Sequence, residues 1–89
     1  MAFASKDLSV IAYANGFTLW HYTTPDAATD VDTSGYFNTA ADMLRIGDMI
    51  LANTDTEGGF ASGILHVSAN AGGVVDVDNL TSVGAADTD

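Results

Sequence analysis

The chain has 89 residues with 12 Asp or Glu against two Lys or Arg, so its formal net charge is −10. Two basic residues cannot release the counterions that drive nucleic-acid binding, and the same shortage excludes attachment to an anionic membrane surface. The absence of cysteine excludes disulfides and thiolate sites. Hydrophobic residues make up 47% of the sequence, which predicts one small soluble domain whose thin core would benefit from a partner.

The first elements in chain order are two strands joined by a tight turn. The run LSVIAYAN, residues 8–15, ends at Asn15-Gly16, a dipeptide that favours positive φ angles and a two-residue hairpin. The run FTLWHYTT, residues 17–24, follows at once and is rich in β-branched and aromatic residues. Both alternating sets of its side chains are largely apolar, which predicts that this strand is covered on both faces, by its own core and by a partner.

A short helix is predicted after a loop. Pro25 ends the second strand because it lacks the amide donor that a ladder needs, and a loop then runs to Gly35. The run NTAADMLRIG predicts a helix of about two turns, with Asn38 as its N-cap and Gly47 as its left-handed end. A helix this short is marginal alone, so packing must hold it.

Three further strands are predicted, at residues 48–53, 60–70 and 73–79. Glycine-containing segments separate them and supply the turns. In the last strand the alternation is regular, because Val75 and Val77 point to one face while Asp76 and Asp78 point to the other. This pattern is typical of a strand with one buried and one solvated face.

The predicted fold is mainly β, a small antiparallel β-barrel or sandwich of about five strands with one short helix. The sequence shows no internal repeat and no linker that would divide it. We expect a single β-rich domain over residues 1–80. The small and polar run TSVGAADTD, residues 81–89, is expected to form a flexible acidic tail.

One segment resembles part of a calcium loop. Asp30, Asp32 and Ser34 stand at alternate positions before Gly35, as in the first half of an EF-hand. The position of the bidentate carboxylate holds Ala41 instead, and no helix is predicted before the loop. We therefore predict no metal and no cofactor, keep Asp30, Asp32 and Ser34 as a weak metal candidate, and interpret the segment as a turn.

The two histidines are the residues that a hydrolytic site would need. His21 and His66 each lie in the middle of a predicted strand, and neither has an acid or a nucleophile at an informative spacing. A histidine in such a position is commonly a half-buried structural residue. We predict that the protein is not an enzyme.

Four residues are candidates for contact with a partner: Trp20, Tyr22, Tyr36 and Arg45. Tryptophan and tyrosine commonly anchor protein contacts, but Trp20 and Tyr22 fit the core equally well, and both interpretations stay open. Arg45 stands among acids, so we expect it to pair with Asp42, with Asp48, or with an acid of a neighbouring copy.

The run GFTLWHYTT, followed by VDTSGYFNTAADMLRIGDMI, resembles small virion structural proteins of tailed phages and of alphaproteobacterial gene transfer agents. In those proteins an aromatic strand, a VDT-GYF turn and a D-L-GD-I passage recur, and the head spike base protein is the closest type. The resemblance spans residues 16–51 and carries over no binding residue. The residues that carry its turn and helix look structural: Gly35, Tyr36, Phe37, Asp42, Leu44, Gly47 and Asp48.

The resemblance implies a non-enzymatic virion component. It implies a homo-oligomeric ring of small β-domains at the capsid vertex, where the symmetry suggests a pentamer. The ring would dock on the capsid protein and hold a spike fibre that contacts host surface polysaccharide. The expected location is the exterior of the virion, after assembly in the bacterial cytoplasm.

An alternative function is a calcium-dependent carbohydrate-binding module. In that interpretation Asp30, Asp32 and Ser34 hold the metal, and Trp20 or Tyr22 stacks on a sugar ring.

Overall fold

The computed structural model describes residue 3 and residues 5–83, which form one mixed sheet of six strands. The strands are β1 Leu8–Ala14, β2 Phe17–Thr23, β3 Met49–Thr54, β4 Ala61–Ala71, β5 Val74–Val77 and β6 Thr81–Ser82. A short helix, α1, spans Ala28–Val31, and 3-10 turns span Ser5–Asp7 and Asn38–Ala40. The order across the sheet is β1-β2-β3-β4-β5, and β6 pairs with β4. The predicted mainly β fold is confirmed.

The β1–β2 hairpin forms as the sequence predicts. Asn15 and Gly16 have φ angles of 55° and 77°, the left-handed pair that a tight hairpin turn needs. Ala14 pairs with Phe17, so the turn contains only these two residues. The local sequence therefore sets the register of this hairpin.

The pairing of β2 with β3 differs from the expected antiparallel arrangement. Leu19 lies opposite Met49 and Thr23 opposite Asn53, which makes the two strands parallel. The cause is the crossover, residues 24–48, because a long connection returns the chain to the end of the sheet where β2 began. The remaining strand pairs are antiparallel, and the described strands do not close into a barrel.

The crossover covers one face of the sheet and builds the core there. It contributes Val31, Phe37, Ala40 and Leu44, all 1% exposed or less. The strands contribute the buried residues Trp20, Tyr22, Ile50, Ala52, Leu65, Val67, Val75 and Val77. At the centre is an aromatic cluster, Phe3, Tyr22, Tyr36 and Phe37, whose ring centroids lie 5.0–6.2 Å apart.

The predicted helix after Asn38 is replaced by a single 3-10 turn. Asn38 does not act as the N-cap, because its Oδ1 instead accepts a hydrogen bond from the Val75 amide at 2.9 Å. The side-chain amide of Asn70 donates to the carbonyls of Ala41 and Leu44 at 2.8 and 2.5 Å, which satisfies groups that a helix would otherwise pair. Gly47 has the predicted left-handed conformation, with φ of 98°.

The end of the described chain is a strand rather than the start of a tail. Thr81 and Ser82 pair with Ile64 and Gly63 of β4. Gly63 is required here, because a Cβ atom at this position would overlap the Thr81 carbonyl oxygen. The predicted flexible tail therefore does not begin at Thr81, and its part at residues 84–89 lies outside the described residues.

Candidate functional site

The tip of the β1–β2 hairpin extends beyond the rest of the sheet. β2 pairs with β3 only from Leu19 to Thr23, so the hairpin before Leu19 has no third strand beside it. Every residue from Ser9 to Phe17 is exposed. We call this segment, residues 9–17, the arm.

The arm exposes large apolar side chains on both of its faces. Val10, Ile11 and Tyr13 are 54%, 50% and 62% exposed, and Phe17 is 38% exposed. A β-bulge between Val10 and Ala12 makes Ile11 the extra residue. Val10 pairs with Trp20 and Tyr13 pairs with Thr18, so Val10 and Tyr13 lie on the face of the hairpin that is continuous with the core. Phe17 points to the opposite face.

No charged residue occurs anywhere between Leu8 and Thr24. All 12 acids and both basic residues lie outside this stretch, so the arm is a neutral surface on a chain of charge −10. A neutral apolar surface approaches a partner without the like-charge repulsion that acts elsewhere on the molecule. The sequence interpretation missed these residues as contact candidates, although the charge-free run was the signal that could have found them.

The outer edge of β1 is uncovered within the described part of the chain. β1 stands first in the sheet order and pairs only with β2. Residues 8–14 make no hydrogen bond to any described residue outside that ladder. An edge of this kind offers a row of backbone donors and acceptors to a further strand.

Asp48 fixes the root of the arm. Its carboxylate is 1% exposed and accepts three hydrogen bonds: from the Thr18 amide at 3.2 Å, from the Trp20 indole at 3.1 Å and from the Arg45 amide at 3.1 Å. Three donors satisfy this buried carboxylate and join the crossover to β2. The arm therefore projects from an anchored base.

Trp20 and Tyr22 lie in the core of the single chain, which is one of the two interpretations that the sequence left open for them. Trp20 is 6% exposed and Tyr22 is fully buried, because the crossover and Asp48 cover this face of β2. Neither ring is accessible to stack on a sugar, so these two residues do not supply the aromatic surface that the carbohydrate-binding alternative assigned to them.

Tyr36 is half-buried and ties the crossover to the sheet. Its hydroxyl donates to the buried Asp26 carboxylate at 2.5 Å and accepts from the Tyr22 hydroxyl, 2.9 Å away. Burial raises the pKa of Tyr36 well above its usual value, and the hydrogen bonds to Asp26 and Tyr22 add to this shift. These contacts give Tyr36 a structural role.

Arg45 is exposed, and its contact with Asp48 runs through the backbone amide instead of the guanidinium. Its side chain forms no ion pair with a described residue. The expected salt bridge to Asp42 or Asp48 is therefore wrong for the single chain. Pairing with an acid of a neighbouring copy stays a prediction.

The residues of the weak metal candidate occupy separate parts of a turn. Asp30 belongs to α1, Asp32 follows the helix as its C-cap, and Ser34 is exposed beyond it. Across residues 5–83, no group of three or more histidine, aspartate or glutamate side chains is placed to hold a metal ion. The next residue, Gly35, donates its backbone N–H to the Val75 carbonyl at 2.9 Å, so this end of the turn is attached to strand β5.

The face of the sheet opposite the core carries both histidines. His21 Nε2 lies 3.3 Å from the Thr23 hydroxyl, and His66 Nδ1 lies 3.0 Å from an Asp78 carboxylate oxygen. The lining of a shallow cavity of about 180 Å³ includes His21, Asn53 and Ser62. The cavity is smaller than the roughly 300 Å³ at which ligand pockets begin, and two of its lining residues bond to each other, because the Ser62 hydroxyl donates to Asn53 Oδ1 at 2.7 Å.

Comparison with family models, with curated proteins and with solved structures finds no match to this chain. None of the helices in the described residues has the length and apolar character to cross a membrane. The exposed surface and the sequence pattern are therefore the basis on which a function is proposed.

Proposed function

We propose that the protein is a non-enzymatic structural component of a phage-like particle, the base of a head spike at the capsid vertices. The observation that carries this proposal is the arm, a neutral apolar projection on an otherwise acidic molecule. Exposed apolar surface of this kind is characteristic of protein contact sites. The assignment to a head spike follows from the resemblance across residues 16–51.

The parts of the molecule suit an assembly role. The arm supplies the contact surface, and the buried Asp48 carboxylate holds its base in place through Thr18 and Trp20. An anchored arm loses little conformational freedom on docking, which favours binding. The partners in this proposal are neighbouring copies in a ring, pentameric at the vertex, together with the capsid protein and the spike fibre protein.

The direct test is incorporation into particles. A tagged chain expressed in cells that produce the particles should appear in purified particles by quantitative mass spectrometry, and immunogold labelling should mark the vertices. Tyr13→Lys, which places a charge on the arm, should reduce the copies per particle at least about tenfold. Phe60→Lys is the matched control, because Phe60 is 55% exposed but lies in the β3–β4 loop.

Absence of the tagged chain from purified particles would contradict the proposal. Equal incorporation of the Tyr13→Lys and Phe60→Lys variants would show that the arm does not take part in docking, even if the protein is a component of the particle. Label on the shell away from the vertices would overturn the spike assignment while keeping the structural role.

A further inference from the structure

The two edges of the sheet differ in whether the chain itself covers them. At β5, the Gly35 amide donates to the Val75 carbonyl, and the Val75 amide donates to Asn38 Oδ1, both at 2.9 Å. Those bonds occupy the outer backbone groups of Val75, so a further strand cannot pair there. At β1, no described residue forms a hydrogen bond to the outer backbone groups of the strand.

β1 also lacks most of the devices that protect edge strands. Natural edges are protected by lysine, proline, inward-pointing charges, bulges or a covering segment. Leu8–Ala14 contains none of the first three, and its one such feature is the bulge at Ile11. The bulge divides the edge into two short stretches but leaves Val10 and Ile11 about half exposed.

The charge distribution favours a second copy of the chain as the occupant of this edge. Two molecules of charge −10 repel each other over most of their surface. The stretch from Leu8 to Thr24 contains no charged residue, so contact between two β1 strands brings no acids of these strands face to face. Contact between β1 and the β5 side would instead approach Asp76 and Asp78.

The capped β5 edge also determines the symmetry of the contact. A head-to-tail sheet needs two different free edges, but on the side opposite β1 the strand β5 is closed at Val75 and β6 is only two residues long. Pairing of β1 with its own copy needs only one free edge and produces a closed two-fold dimer. We infer that the free chain pairs with a second copy through β1, antiparallel and two-fold, to give a sheet that continues across both molecules.

The exposed apolar area of β1 suits a weak and reversible dimer. Val10, Ile11 and Tyr13 together present roughly 330 Å² if a large side chain offers about 200 Å². Two copies would therefore contribute at most roughly 660 Å² of apolar surface besides the backbone pairing, which is below the roughly 1,000 Å² expected of a stable interface. The dimer should therefore dissociate on dilution.

This inference concerns the free chain and does not rest on the proposed function. A dimer through β1 and docking of the arm on another protein would use the same surface, so they exclude each other. The two proposals are tested by different measurements, incorporation into particles and the mass of the free chain in solution, so they can fail separately.

The first experiment is light scattering of the full chain over a wide range of concentration. The expected result is a rise from 9.2 kDa to twice that mass. A monomer up to millimolar concentration would overturn the inference. A larger ring would also overturn it, while supporting the homo-oligomer of the proposed function.

Charge substitutions test the edge. Val10→Lys should weaken the dimer at least about tenfold, because it places a positive charge on each of the two paired strands. Val74→Lys is the matched control on the opposite edge, at a valine that is 46% exposed, and should leave the dimer unchanged. If Val10→Lys does not fold, as judged by circular dichroism, Tyr13→Lys takes its place. Equal effects at both edges would overturn the inference.

Cross-linking tests the two-fold axis directly. The chain has no cysteine, so Val10→Cys, Ile11→Cys and Ala12→Cys each introduce a single thiol. The Cα atoms of opposed residues in an antiparallel pair lie about 4.5–5.5 Å apart, within the Cα–Cα range that a disulfide spans. One of these variants should form a disulfide dimer on mild oxidation, while Val74→Cys should not. Failure of all three, or equal yield from Val74→Cys, would overturn the two-fold pairing.

Discussion

The aromatic cluster and the arm use the same kinds of side chain in opposite ways. In the cluster, Tyr22 and Phe37 are at most 1% exposed, whereas on the arm Tyr13 and Phe17 are 62% and 38% exposed. The difference is the crossover, which covers the cluster and does not reach the arm. Whether an aromatic side chain of this chain is buried or exposed therefore depends on whether the crossover covers it, and not on the residue type alone.

The largest expected effect comes from opening the cluster. Phe37→Ala should cost about 3–5 kcal/mol in the free energy of unfolding, because it leaves a cavity under the crossover. Tyr13→Ala on the arm should cost less than about 0.5 kcal/mol in the monomer. Urea unfolding of dilute protein measures both. If the alanine variant does not fold, Phe37→Leu should still cost more than Tyr13→Ala, and the reverse order would contradict the comparison.

The boundary between the two regions is Asp48, and breaking it should have the next largest effect. Asp48→Ala leaves the Thr18 amide and the Trp20 indole without their acceptor, which should cost about 2–3 kcal/mol. The chain has one tryptophan, so fluorescence reports directly on this site and should shift to the red. Asp42→Ala, at an exposed acid, is the control and should change neither stability nor emission.

Alkaline pH tests the hydrogen bonds beside the cluster. The folded state raises the pKa of Tyr36 above its unfolded value of about 10, so the neutral phenol is favoured in the folded protein. The resulting stabilisation is fully present below pH 10 and is lost as the pH rises above it. The free energy of unfolding, followed between pH 8 and 12, should fall more steeply in the wild type than in Tyr36→Phe. If the free energy of unfolding falls equally steeply with pH in the two proteins, ionisation of Tyr36 does not contribute to the pH dependence of stability.

Calcium should have the smallest effect, at a site that belongs to neither region. Asp30, Asp32 and Ser34 are spread along a turn, so we expect calcium and a chelator to give the same Tm within experimental error. Differential scanning fluorimetry measures this. A rise in Tm with calcium that Asp32→Asn abolishes would restore the metal interpretation of the loop.

Local sequence signals predicted the local features of the fold. The Asn15-Gly16 turn, the end of β2 before Pro25 and the burial of Val75 and Val77 all depend on neighbouring residues, and the structure shows each of them. The signals for these features lie within a few residues of one another. The sequence was therefore sufficient for the hairpin that forms the arm.

Features that depend on distant partners were not predictable in the same way. Asn38 bonds to Val75, 37 positions away, and Asn70 bonds to Leu44, 26 positions away, and these contacts replace the predicted helix. The parallel pairing of β2 with β3 depends on the path of the whole crossover. Trp20 is buried because Asp48, 28 positions later, binds its indole. None of these partners is indicated by local periodicity.

The two-residue turn between β1 and β2 has a consequence for the order of folding. A hairpin closed by adjacent residues forms within about 1–10 μs, whereas contacts across a long loop form later because closing the loop costs entropy. Val75 can be capped only after the crossover and β4 are in place. Partly folded chains therefore present the apolar edge of β1 before the core is complete, so refolding should lose yield to aggregation as protein concentration rises.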